Sequence, residues 1–547
     1  MSPAGRHGTG LTRSAAVMAT GTALSRLTGL VRVLALIYAV RTSDLADAYN
    51  LANTLPNIVV DLVLGGVVSA TFIPVFVERL TARSEDEAWD AISAVASVTV
   101  VLIGIASLAF LAASPLIVRA MTVLNHSGSV GAERQVATEL LVLFVPQLTG
   151  YGLIALATAL LNARHRFAAP MFAPIANNAV LIGMLLVFGT VVSDHRAAAV
   201  QHHRGLVLLL GLGTTAGVVV QAAVMIPSLR RSGLHLRWQP RFAHEAVRAV
   251  VRLSGWTVGL VIANQTALIV VLALAARTRG AVSAYTYAYT FFQLPYGVVA
   301  VSIMTATTPA LAEDWTTGDL AGFRRKLGGA LRRMLAVIVP AAAGMVVLGR
   351  PMLQLVGTVI GHPQTTQATG TALALLSLGL PGFCIFLYTI RVLQAMQDLR
   401  SAFWLYVLEN GANVVLALVL AGPAHLGLRG ITLSISLAYS LAAVVALGRL
   451  HSRVQGLGGD LVGRPLGRIL SATAGLVGAA ALGANVTASS SSLGLAARLG
   501  CGVLAGGGAY VGVAGILGVL EHRRRARTTT PRWTAVSASP RHGRLRR

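Results

Sequence analysis

Apolar runs long enough to cross a bilayer recur almost without pause from residue 12 to residue 519, and no other feature constrains the fold as strongly. A hydrocarbon core of roughly 30 Å takes about 20 apolar residues as a helix, and inside it every peptide group must be hydrogen-bonded within the protein. Spans fall near 12–40, 46–78, 89–112, 137–162, 172–193, 205–226, 247–276, 281–312, 328–349, 369–397, 402–421, 428–448, 466–484 and 496–519, about fourteen in all. The expected fold is an all-α, multi-pass membrane protein. Composition agrees, with 55% hydrophobic and 12% charged residues and a mean hydropathy of +0.71, against about a quarter charged in soluble domains. The basic N-terminus resembles a signal peptide, but the first span runs on to residue 40 without a small-residue cleavage site and reads as a retained helix.

The net charge of +25 does not point to nucleic acid, because the arginines sit in short clusters between apolar runs rather than on one basic domain with interleaved aromatics. Loops after even-numbered spans carry them: Arg79 and Arg83, Arg164 and Arg166, Arg230 to Arg241, Arg324 to Arg333, and Arg449 to Arg468. The positive-inside rule then places those loops and both termini on the cytoplasmic side of the membrane. The tail, residues 520–547, is rich in Arg, Ser and Pro and reads as a disordered arm near anionic lipid. Chemistry on a substrate has little support. Lys326 is the only lysine and Leu327 follows it, so no G-x-x-x-x-G-K-[ST] phosphate loop exists. The histidines lack zinc-site spacing, and Cys384 and Cys501 both lie in apolar segments. A transporter without metal or cofactor is expected.

An internal repeat narrows the architecture. "LNARHRFAAPMFAPIANN" from Leu161 and "LQAMQDLRSAFWLYVLEN" from Leu393 share a helix end, a polar turn and a helix reaching an Asn, so that Asn178 matches Asn410 at an offset of 232. "DAYNLANTLPN" from Asp47 and "SAYTYAYTFFQLP" from Ser283 recur at a similar offset. Two motifs in the same order argue for duplication. The expected organisation is a short cytoplasmic N-terminus (1–11), an N-lobe (12–226), a cytoplasmic connector (227–246), a C-lobe (247–448) and two added spans (466–519), with a pathway between the lobes.

"GTALSRLTGLVR", Gly21 to Arg32, puts two arginines inside the first span. Arg26 falls roughly 15 Å from either interface, beyond the reach of its side chain, and a central arginine costs about 2.5–3.5 kcal/mol unless it faces water, an anion or a partner. At 100° per residue, Arg26 and Arg32 lie about 120° and 9 Å apart, so both can line one broad cavity. Two roles fit: an interior salt bridge, with Asp61 or Glu409 as the acid, or an anion site tuned by those acids.

"GTALSRLTGLVR" followed by "ADAYNLANTLPN", "GGVVSATFIPVF", "LNARHRFAAPMFAPIANN", "QLPYGVVAVSIMTATTP" and "LQAMQDLRSAFW" resembles the MurJ/MviN family, lipid II flippases of the MOP exporter superfamily. The resemblance implies fourteen helices in two lobes around a cationic cavity, in which Ser25, Arg26 and Arg32 face the pyrophosphate of the substrate. It matches Asp47 to the acid of the A-D-A-Y motif. It also implies a groove for the polyprenyl tail on the last two spans, where Gly506 and Gly508 are candidates; close packing through small residues is the alternative there.

The chain departs from the proteobacterial pattern, which has paired arginines where Val60 and Asp61 stand and a cavity arginine where Thr290 stands. An acid followed by Gly-Gly resembles actinobacterial members. The implied function is inner-to-outer translocation of lipid II by alternating access. The rivals are a paralogue carrying another polyprenyl-linked glycan, a membrane scaffold recruiting cell-wall or division proteins, and a multidrug antiporter of the related branch, which the deep arginines disfavour.

Overall fold

The expected spans are helices in a computed structural model that describes residues 4–61, 85–164, 166–232, 237–422, 424–456, 459–485 and 491–519. The first six are α1 (Ala4–Val40), α2 (Asp44–Val60), α3 (Glu85–Met121), α4 (Val130–Ala163), α5 (Ala168–Val191) and α6 (Arg204–Arg230). The next six are α7 (Glu245–Ala275), α8 (Ala281–Thr317), α9 (Leu320–Val359), α10 (Gln367–Leu378 and Leu380–Ala395), α11 (Leu399–Ala421) and α12 (Leu428–Arg453). α13 (Gly459–Ala484) and α14 (Ser492–Ile516) complete the series. Twelve of these are long and apolar enough to cross a membrane, and the two halves of α10, bent by 52°, together make a thirteenth. α2 begins the remaining expected span. Its continuation with "SATFIP", the tail, and the side chains of α1 before Thr20 lie outside the described residues.

Local chemistry sets the helix ends. Ser43 Oγ accepts the Ala46 amide at 3.2 Å to start α2, and Asp319 and Asp398 cap α9 and α11 through the amides of Gly322 (2.8 Å) and Ser401 (3.0 Å). Gly280 and Gly318, both at φ 77°, turn the chain into and out of α8, a conformation that Gly adopts without Cβ strain. α9 begins ahead of its apolar pattern, because the Asp319 cap starts the helix at Leu320 and so takes in the basic residues Arg324–Lys326, which a hydropathy window discards. The break in α10 disturbs the backbone ladder, and the Leu376 carbonyl takes the Gly379 amide at 3.0 Å. Ser436 Oγ of α12 donates to the carbonyls there, Leu375 (2.7 Å) and Leu376 (3.1 Å).

The principal packing pairs of α1–α6 recur six helices later. α1 lies on α5 as α7 lies on α11, and the pairs α5/α6, α2/α4, α4/α6 and α3/α4 are matched by α11/α12, α8/α10, α10/α12 and α9/α10. The two lobes meet where α3 packs on α7 and where α2 approaches α8, and at the second of these the repeat-matched residues touch. The Asp47 carboxylate accepts the amide (2.8 Å) and hydroxyl (2.7 Å) of Ser283 and the amide of Gly280 (2.6 Å). α13 and α14 pack on each other and on α9, with the Tyr510 hydroxyl donating to the Ala336 carbonyl at 2.5 Å.

Candidate functional site

Two chambers open between the lobes, one lined by arginines and the other by carboxylic acids. The first, of ≈ 490 Å³, is walled by α1, α5 and α8 and is lined by Ser25, Arg26, Gly29, Arg32, Asn178 and Thr290, among others. Both arginines therefore face one cavity. Arg26 lies about 21 Å along the axis from the end of α1 at Val40, and Arg32 about 12 Å. Neither forms an ion pair among the described residues. α1 is held to α5 beside them by Asn178, whose Nδ2 donates to Thr28 Oγ1 (2.9 Å) and the Ser25 carbonyl (3.4 Å). Behind that contact, Asn177 Nδ2 donates to Gln221 Oε1 of α6 at 2.9 Å. Ser25 thus contributes its carbonyl to the α1–α5 seam as well as lining the cavity.

Opposite Arg26, α8 passes through a π turn, Tyr296–Ala300, directly after Pro295. Such bulges shift the register of a helix face and concentrate at functional sites. Here the bulge brings Gly297 against the guanidinium: a Cβ at 297 would stand 3.2 Å from Arg26 Cζ and 3.3 Å from Nε. The missing side chain makes room for the Arg26 head. Gly297 was not singled out by its sequence; the Pro295 just before it was the one available signal.

The second chamber, of ≈ 330 Å³, is walled by α2, α7, α8, α11 and α12 and contains both Asp61 and Glu409. Gln293 lines both chambers. Asp61 Oδ2 accepts Gln265 Nε2 of α7 at 2.8 Å. Glu409 is 1% exposed, and its Oε2 has no hydrogen-bond partner among the described residues; the same is true of Gln265 Oε1. Asn264, Asn410, Asn413 and three tyrosines complete a wall rich in hydrogen-bonding groups. The expected alternative of a salt bridge from Arg26 or Arg32 to Asp61 or Glu409 is therefore not what the structure holds. The acids face a different chamber because α2 and α11 stand on the other side of α8.

Asp47 lies apart from both chambers. It is buried at the α2–α8 seam, where it caps the N-terminus of α8 from across the lobes. Asp44 joins the same seam, accepting the Ala197 amide (3.1 Å) and Arg279 Nη2 (3.3 Å), and the Tyr287 hydroxyl donates to the Arg41 carbonyl at 3.1 Å. The lobes are thus fastened at the end that carries the α1–α2 and α7–α8 turns. Gly506 and Gly508 also separate. A Cβ at Gly506 would meet Ala480 Cβ at 2.9 Å and the Leu476 carbonyl at 3.2 Å, whereas Gly508 has nothing within 4 Å. Gly506 packs closely between α13 and α14, as the small-residue alternative has it, whereas Gly508 faces free space.

A family model described as "Lipid II flippase MurJ" matches residues 38–499. The chain belongs to the lipid II flippase MurJ family. A probable lipid II flippase MurJ of Rhizobium meliloti (strain 1021) is 28% identical over 416 residues, 75% of each chain. The lipid II flippase MurJ of Burkholderia cenocepacia is 25% identical over 447 residues, covering 79% of this chain and 82% of its own. In three dimensions the fold is shared with a solved lipid II flippase MurJ in an inward closed conformation, at a TM-score of 0.72 and 19% identity over 91% of this chain and 98% of the other. It is shared also with an inward-facing multidrug resistance MATE family transporter of the MOP superfamily, at a TM-score of 0.62 and 15% identity over 80% of this chain and 98% of that one. Within this MurJ fold, the two positions of altered charge fall in different chambers: Thr290 in the arginine chamber, Asp61 in the acidic one.

Proposed function

We propose that this protein carries lipid II from the inner to the outer leaflet of a bacterial plasma membrane by alternating access. The observation that carries the reading is the pair Arg26 and Arg32, deep in the membrane, facing one cavity and without an acid partner among the described residues. Keeping two such charges in the bilayer costs several kcal/mol, about 2.5–3.5 for each at the centre, and a pyrophosphate returns that cost through charge-assisted, partly bidentate hydrogen bonds. The acidic chamber beyond Gln293 then takes the muropeptide. Its unpaired acceptors, Glu409 Oε2 and Gln265 Oε1, suit hydroxyl, amide and ammonium donors. The lobes 12–226 and 247–448 are the moving bodies, and the tail-binding surface lies on α13–α14 around Gly508.

Orientation follows from the arginine-rich loops. The α2–α8 seam then closes the outer side, and the cavity loads from the cytoplasmic leaflet. With Cys384 and Cys501 replaced by Ala, Thr316→Cys should resist an impermeant thiol reagent in intact cells and Gly128→Cys should react; the opposite pattern would invert the assignment. The function itself is tested with purified, folded Arg26→Ala protein in lipid II binding and in flipping across liposomes. Wild-type binding and flipping in that variant would end the anion-site reading. Complementation of a strain depleted of its essential flippase separates lipid II from another polyprenyl-linked glycan and from a scaffold role.

A further inference from the structure

A third cavity lies outside the lobe interface. It is an apolar groove of ≈ 580 Å³ between α3, α4 and α6, and its mouth carries Arg230, Arg237 and Trp238. Its walls come from Val100, Leu153, Leu156 and Ile226, and two of these, Leu153 (47% exposed) and Ile226 (44%), are also part of the outer apolar surface of the helices. The groove therefore opens sideways onto lipid, not into the transport pathway. Along α6 it runs from Ala222 to Arg230, roughly 12 Å of depth from the membrane interface inward.

The mouth is built, not incidental. The segment after α6 is laid along α3 by two serines. Ser93 Oγ accepts the Arg237 amide at 3.0 Å, and Ser97 Oγ accepts the Gln239 amide at 2.9 Å while donating to the Arg237 carbonyl at 3.4 Å. These bonds hold the backbone at Arg237 and Trp238 whatever the side chains do. Trp238 is 65% exposed at the edge of an apolar surface, the position where aromatic rings favour the headgroup level. The nearby acid is already engaged: Asp90 takes Arg241 (3.3 Å) and His244 (3.4 Å). Arg230 and Arg237 form no ion pair among the described residues, so two guanidinium groups converge on an apolar slot with no protein anion to neutralise them.

We propose that this groove is a binding site for one anionic phospholipid, with an acyl chain between α3, α4 and α6 and the phosphate held by Arg230 and Arg237. The occupant is a membrane lipid rather than a peptide because the groove opens on the lipid-facing side, and it is anionic because the two cations have no acid partner among the described residues. The bound lipid ties the α6–α7 connector to the N-lobe, so it supports the joint about which the lobes move.

The test uses the full-length chain, purified in detergent and stripped of lipid, with phosphatidylglycerol and phosphatidylcholine of identical acyl chains as probes and native mass spectrometry as readout. One phosphatidylglycerol should be retained at roughly tenfold lower concentration than phosphatidylcholine, the size expected of charge-assisted phosphate bonds. Arg230→Ala with Arg237→Ala should remove that preference, and Ala222→Phe, which fills the slot, should reduce retention of both lipids. Arg237→Gln makes the same measurement if the double variant does not accumulate, since the serine bonds to the backbone do not need the arginine side chain. Equal retention of the two lipids by the unaltered chain, an unchanged preference in the arginine variants, or displacement of phosphatidylglycerol by inorganic phosphate would each overturn the proposal.

Discussion

The same pair of helices occurs twice in this molecule, and its two copies present opposite chemistry to the lobe interface. In the N-lobe, α1 on α5 presents Arg26 and Arg32. In the C-lobe, α7 on α11 presents Asn264, Gln265 and Glu409. The matched asparagines show how far the copies have diverged. Asn178 reaches across to α1, whereas Asn410 donates to the Tyr406 carbonyl of its own helix at 2.9 Å. The C-lobe pair is held instead by aromatic contact, Trp256 against Phe403 at 5.3 Å, with Gly259 admitting the Phe403 ring. Duplication preserved which helices pack together, because that depends on shape along a whole face. Single charged positions on the chamber walls are not bound by that requirement, and they differ between the two copies.

The sharpest way to break the contrast is to treat one residue from each chamber alike. Arg26→Ala should weaken lipid II binding by at least about tenfold, the size of one lost charged hydrogen bond or more, and Arg26→Lys should recover part of it because it keeps the charge but not the fork. Thr290→Arg should raise the affinity of the arginine chamber for inorganic pyrophosphate. Glu409→Gln should leave pyrophosphate competition and thermal stability unchanged and lower flipping, since Gln keeps the shape of the buried side chain and removes only its ability to exchange a proton. Loss of both stability and flipping in Glu409→Gln would make that residue architecture and remove the acidic chamber from the transport pathway.

The seam between the lobes is read through stability rather than binding. Asp47→Ala strands the Gly280 and Ser283 amides, at a cost of about 2–4 kcal/mol, read as a lower unfolding temperature in detergent, while the Ser283 hydroxyl keeps the Gly280 carbonyl at 3.1 Å. A cysteine at Thr290 should become more reactive from the outer side in that background. A smaller step comes from the C-terminal pair. Gly506→Leu should cost about 1–3 kcal/mol through overpacking against Ala480, and Gly508→Leu should leave stability unchanged while testing the tail surface by flipping rate. Equal effects of the two would erase the distinction between seam and open face.

The smallest effect sits on the surface. The Asp398 carboxyl is partly desolvated, which alone would raise its pKa, but bonds from the Ser401 hydroxyl and amide, with Arg453 and Arg449 nearby, hold it below its ordinary value. A depressed carboxyl pKa contributes stability that is present above the unfolded-state value and is lost as pH falls through the folded-state value. Asp398→Asn should therefore lower stability by no more than about 1 kcal/mol at neutral pH. The difference from the unaltered chain should close as the pH drops below 3.8, the ordinary value for this group.

The spans, the repeat and the mid-membrane arginines were legible in the residues alone, since each depends on properties that lie close together along the chain. Apolar length declares a span, an offset of 232 residues between two similar segments declares duplication, and an arginine beyond reach of either interface declares a cavity or a partner. Which of those two holds for Arg26 was not legible. It turned on whether α2 and α11 bring Asp61 and Glu409 to the same side of α8 as α1, and they do not. The role of Asp47 was hidden for the same reason, because its partners lie 233 and 236 residues away and meet it only when α2 docks on α8. Gly506 and Gly508, two residues apart on one helix, look alike in a Gly-rich run; the path of α13 makes one a contact and the other an opening. Periodicity and polarity determine what each segment of this chain can be. The docking of the helices decides which charges meet, because a charge in a membrane is governed by what lies within a few ångströms of it and not by its place in the sequence.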